Sequence, residues 1–133
     1  MHLTIKGQPI PKKNSQEIRY KILKGKRIPF IAQSKAYETY EEAAIWQLKT
    51  QCRQLPGPPP YNIKCLFYRS NLIHCDTLNL QEAIDDILVR AGVIPDDWWG
   101  IVGAHDGSRV YLDRTNPRTE IYITRMEDCD ERS

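Results

Sequence analysis

The sequence predicts one α+β domain over residues 1–133, a mixed β-sheet packed by two main helices. Three observations predict it. Apolar residues alternate with polar ones at 61–68 and at 118–125, the period of half-buried strands. Two longer segments, 35–53 and 77–91, repeat their apolar residues every three or four positions, the period of amphipathic helices. The 133 residues suit a single core but are too few for two ordinary ones.

In chain order, Leu3 and Ile5 alternate as a first strand. Ile18–Leu23 and Arg27–Ile31 flank Lys24-Gly25 as a hairpin. Ser34 stands where a helix N-cap is needed, before a stripe of Tyr37, Tyr40, Ala44, Leu48 and Cys52. Pro56-Gly57-Pro58-Pro59-Pro60 stops that helix and forms a connector inside the domain, because proline removes a backbone donor and fixes φ. Tyr61, Ile63, Cys65 and Phe67 mark the buried side of the next strand. Leu80, Ala83, Ile84, Ile87, Leu88 and Ala91 then give the most regular helix, with Asp76 as a candidate N-cap and Gly92 at its end. Residues 101–104, 109–112 and 118–125 read as further strands. Asp106-Gly107 reads as a type I′ hairpin turn between the first two, and Asp113 as the start of an Asx-type turn with exposed arginines.

Composition narrows the function classes. With 41% hydrophobic and 27% charged residues the chain is neither disordered nor a disulfide scaffold. No apolar run approaches the roughly 20 residues of a membrane span, and residues 1–6 lead into a strand pattern in place of a secretory core, so a cytoplasmic protein with no membrane partner is expected. Cys52, Cys65, Cys75 and Cys129 form no Cys-x-x-Cys pair, which argues against structural zinc and for reduced thiols.

The net charge of +2 conceals a division. Residues 1–69 hold 13 Lys/Arg against 4 Asp/Glu, and residues 70–133 hold 6 against 13. Within residues 6–27 eight cations face Glu17 alone. Basic groups attract a phosphate backbone while carboxylates hold a divalent cation, so the division suits a metal-dependent nucleic-acid enzyme; it suits equally two halves that neutralise each other.

The residues able to carry chemistry follow. Asp76 lies between a strand and a helix, as an N-cap or a metal ligand. Asp96 and Asp97 leave a tight apolar turn beside Trp98 and Trp99, which either contact a partner or unstacked bases, or are buried. His105-Asp106-Gly107-Ser108-Arg109 gathers four functional side chains around a glycine. Pro9–Ser15 offers Lys12, Lys13, Asn14 and Ser15 in a loop able to wrap a phosphate.

Taken together, Pro11-Lys12-Lys13-Asn14-Ser15, Asp76-x-x-Asn79-Leu80, the helix ending in Ala91-Gly92 and Asp96-Asp97 after Val93-Ile94 resemble the RusA-type crossover (Holliday) junction endodeoxyribonucleases, over about residues 7–123. The resemblance implies an α+β homodimer that binds four-way DNA junctions and cuts two opposed strands with Mg²⁺. It carries catalytic roles onto Asp76 and Asp97, with Asp96 as neighbour, Asn79 as a polar partner, and Lys12, Lys13 and Asn14 facing DNA. This chain departs from the family pattern at three positions. Leu78 replaces the second acid of Asp-x-Asp-Asn, Glu82 replaces a basic residue one turn into the helix, and Cys75 replaces the basic residue before the first Asp. Asp106 is the candidate for the missing carboxylate, making Asp76, Asp97 and Asp106 the expected metal ligands, with Glu82 second. The alternative is a non-catalytic DNA-binding protein on the same fold; a protein-interaction module is a third reading.

Overall fold

The computed structural model describes residues 1–12, 16–51 and 54–126. Its strands are β1 (His2–Lys6), β2 (Gln16–Leu23), β3 (Lys26–Gln33), β4 (Tyr61–Arg69), β5 (Val102–Ala104), β6 (Arg109–Leu112) and β7 (Arg118–Arg125). Its helices are α1 (Lys35–Gln51) and α2 (Thr77–Arg90). The α+β expectation holds: β1, β7 and β4 run in that order with antiparallel pairing, β5 and β6 add to β4 in parallel, and both helices pack on the sheet.

The period of two decides which side of the sheet is buried. Tyr61, Ile63, Cys65 and Phe67 of β4, Ile121 and Ile123 of β7, and Leu3 and Ile5 of β1 are all at most 2% exposed. They meet Tyr37, Ala44 and Leu48 of α1 and Leu80, Ile84, Ile87 and Leu88 of α2. At about 1.5–3 kcal/mol per fully buried large apolar side chain, this cluster is the main favourable contribution to the fold.

The local signals behave as read. Ser34 Oγ accepts from the Tyr37 amide at 3.2 Å, capping α1. At the far end of α2 the Gly92 amide donates to Val89 and the Val93 amide to Leu88, a Schellman ending made possible by the positive φ of Gly92. Lys24 and Gly25 both take positive φ, as a type I′ hairpin turn requires.

The two edges of the sheet differ. Along β1 the side chains of α1 replace a missing strand: Gln51 bonds both the amide and the carbonyl of Thr4 (2.9 and 2.7 Å), and Gln47 does the same at Lys6 (2.7 and 3.2 Å). On the opposite edge, the expected Asp106-Gly107 hairpin does not form. β5 and β6 both run parallel to β4, so they are two pieces of one edge strand, and residues 105–108 bulge out between them. Side chains carry the ladder across the gap. Asn62 exchanges two hydrogen bonds with the backbone of Asp106 (2.7 and 3.1 Å), and Ser108 Oγ accepts from the Cys65 amide at 3.0 Å. A side chain at Gly107 would lie 2.8 Å from Cδ of Lys64, so the bulge closes over Lys64 only without one.

β2 and β3 stand apart as a two-stranded ribbon with eight paired positions on each strand. Ile18, Tyr20, Ile22, Pro29 and Ile31 share one face; Arg19, Lys21, Lys26 and Phe30 share the other. Ile18 is 66% exposed, Ile22 75% and Ile31 72%. Arg19 ties the base of the ribbon to α1 through Glu38.

Candidate functional site: an acid cluster and a basic ribbon

The bulge in the edge strand carries His105 toward α2, where its Nε2 lies 2.7 Å from Oδ2 of Asp85. Asp85 sits on the flank of α2 that faces this edge and is 9% exposed. Burial raises its pKa, and the charges of Asp97 and Glu82 raise it further, against the opposing pull of His105. The hydrogen bond to the Asp85 carboxylate raises the pKa of His105, and the charge of Asp106 adds to that. Asp85 and Asp106 thus act on the imidazole, while Asp97 and Glu82 act on Asp85. Oδ1 of Asp85 is buried with no hydrogen-bond partner.

The sequence-predicted site residues divide around this cluster. Asp97 and Asp106 act on it electrostatically, and Glu82 flanks it on the exposed side of α2. Asp96 spends one carboxylate oxygen on the Asp97 amide at 2.7 Å, which shapes the turn. Asp76 stays at the start of α2, nine residues before Asp85, a rise of roughly 14 Å along the helix axis. Its carboxylate faces the Asn79 amide at 3.5 Å and makes no side-chain cap to the helix. The structure thus does not join Asp76 to Asp97 and Asp106, because the parallel β4–α2–β5 crossover puts the entry and exit of α2 at opposite ends of the sheet.

Two residues expected to face DNA have other surroundings. Lys12 is half-buried, with its ammonium on Asp86 of α2 at 3.1 Å; Asp86 also meets Arg90, which reaches Glu41 of α1. Asn79 is buried at 7% exposure. Lys13 and Asn14 lie outside the described residues, as do Cys52 and Cys129. Cys65 is buried and Cys75 half-buried, both free. Trp98 and Trp99 are exposed and meet edge to face at 5.4 Å, which removes the reading in which they fill the core of this chain. Arg118, expected to be exposed, is half-buried between Asp113 and Glu120.

Sequence reasoning missed Asp85. Its signal was present: an acid in the apolar repeat of α2, next to Ile84 and four residues after Gln81, which is buried too. The ribbon cations were visible as a charge run, but their projection from the body was not. Arg27 lies over the Tyr20 ring at 4.0 Å and Lys21 over Phe30 at 5.7 Å, so both cations are held along the ribbon while their charge stays in water.

Among the described residues, no group of three or more His, Cys, Asp and Glu side chains is arranged to hold a metal ion. No helix among them is long and apolar enough to cross a membrane. No family model matches the chain, and no curated protein matches it.

Proposed function

We propose that this protein binds branched DNA through its ribbon and hydrolyses a phosphodiester there with Mg²⁺, acting as a homodimer on four-way junctions. The observation that carries the reading is the ribbon. A two-stranded antiparallel ribbon fits the major groove of a duplex, and here it carries Lys21, Lys24, Lys26 and Arg27, while its one acid, Glu17, is paired with Arg19. The resemblance to RusA-type nucleases in order and spacing of motifs supplies the reaction class.

The acid cluster fits a hydrated Mg²⁺ by its chemistry. The donors are hard oxygens, their charges repel one another, and Oδ1 of Asp85 lacks a partner. Asp85 and Asp97 would hold the ion, which usually needs only one or two carboxylates and keeps several waters. When bound it would supply a more nucleophilic water and accept charge on the leaving oxygen. The chain's own residues do the rest. Ribbon cations hold phosphates, Asp85 orients the imidazole, and His105 keeps a proton next to the acids. A two-fold dimer would present one such site to each of two opposed strands.

The separation of Asp76 from the cluster favours a second reading, a DNA-binding protein that does not cut. Incubation with a synthetic four-way junction and a matched linear duplex, with and without Mg²⁺, decides between them. The proposal expects paired nicks in the junction that need Mg²⁺ and disappear in Asp97→Asn and Asp85→Asn, with binding retained. Tight binding without a nick at any Mg²⁺ or Mn²⁺ concentration would establish the binder, and salt-insensitive, weak association would remove DNA altogether.

A further inference from the structure

At the other end of α2 lies a groove of about 270 Å³, bordered by the loop after β4, the first turn of α2 and strand β6. Its polar members are Arg69, Asn71, His74, Thr77 and Tyr111, and no Asp or Glu lines it. Arg69 is the unusual one. It is 9% exposed, its Nη1 donates to the Ile73 carbonyl, and its Nε is buried without a partner. None of the ion pairs among the described residues includes it. Arginine is almost never this buried without a counter-charge, because removing a cation from water is expensive unless an anion faces it.

A second feature points the same way. The first amides of α2 receive no side-chain cap, although Asp76 stands at the N-cap in extended conformation. Uncapped amides at the start of a 14-residue helix carry partial positive charge and bind anions. The Asp76 carboxylate does not line the groove; it faces Asn79.

We infer that this groove is a phosphate-binding site, in which the buried Arg69 guanidinium and the open N-terminus of α2 hold one phosphate group. Thr77 supplies a hydroxyl, and the apolar Leu72, Ile73, Val110 and Leu112 lower the local dielectric, which strengthens a charge-assisted bond. The phosphate belongs to a nucleic-acid backbone or to a free phosphate ester; the chemistry is shared. The inference stands apart from the nuclease reading, since it requires neither Mg²⁺ nor cleavage.

The test is a metal-free NMR titration of the full chain with inorganic phosphate, and separately with a thymidine oligonucleotide lacking terminal phosphates. Saturable shifts are expected at the Arg69 Nε–H and at the amides of 77–79. Arg69→Gln should weaken binding at least about tenfold, the scale of one charge-assisted hydrogen bond. Should Arg69→Gln disturb the fold, Val110→Glu sets an acid in the groove from an exposed edge position and should weaken binding as much. Shifts with both probes assign the site to the nucleic-acid backbone, and shifts with inorganic phosphate alone assign it to free esters. No shift with either probe, or equal shifts in both variants, overturns the inference, and a junction still cut with Mg²⁺ would then leave the nuclease reading intact.

Discussion

The body and the ribbon use similar residues to opposite ends. In β4 and β7 isoleucine is fully buried, whereas Ile18, Ile22 and Ile31 of the ribbon are more than half exposed. The body is held by side chains from four strands and two helices; the ribbon is held by its own ladder, a type I′ turn and the Arg19 tie to Glu38. An isolated two-stranded hairpin is only marginally stable in water. The difference teaches where stability resides: burial holds the body, while the ribbon keeps its apolar side chains in water and contributes little to it.

The largest test of that division is in the body. Phe67→Ala, at a fully buried position of β4, should cost about 3–5 kcal/mol in chemical denaturation. Ile22→Ala on the ribbon should stay within about 0.5 kcal/mol. Equal losses would mean that the ribbon belongs to the cooperative core. In the reverse direction, replacing Lys21, Lys24, Lys26 and Arg27 together by Gln should leave stability unchanged and flatten the salt dependence of duplex binding. Loss of four phosphate contacts predicts a slope smaller by about 3.6 in log K against log salt. An unaltered slope would move DNA recognition off the ribbon.

Smaller effects sharpen the picture of the body's edge. The raised pKa of His105 means that its protonated form is stabilised by folding, through the bond to Asp85. That stability is complete below the ordinary histidine value of 6.5 and is lost as pH rises through the raised value. Thermal melts across this range should therefore fall with pH in the native chain and fall less in His105→Gln; parallel profiles would show that the pair does not set the dependence. The smallest change is Leu78→Asp. Leu78 is 74% exposed in the first turn of α2, so an acid there should add about 0.3–1 kcal/mol by complementing the helix dipole, read as a higher melting temperature. Under the nuclease reading it should leave Mg²⁺-dependent cleavage unchanged, because it lies at the end of α2 away from Asp85 and Asp97; a gain in cleavage would move the metal site to Asp76.

Much of the fold was legible because its signals are local. The Lys24-Gly25 turn, the Ser34 cap, the Gly92 ending and the alternation in β4 and β7 each depend on residues within a few positions of one another. The edge strand was misread for the same reason. Asp106-Gly107 has the local chemistry of a hairpin turn, yet both flanking strands find β4, and Asn62, 44 positions away, supplies the missing ladder bonds. Of the site, the acids after α2 and the basic run were visible as composition, while the role of Asp85 was not.

The sequence by itself determined the class of the fold, the order of its elements, the faces they bury and the separation of basic from acidic halves, since period, turn chemistry and charge are written along the chain. Tertiary structure alone decided that Asp85 meets His105, that Lys12 is taken by Asp86, that Asp76 stands apart from Asp97, and that Arg69 is buried without a counter-charge. These depend on how a parallel crossover sets one end of a helix against one end of a sheet, and no local pattern specifies which distant side chain will be there.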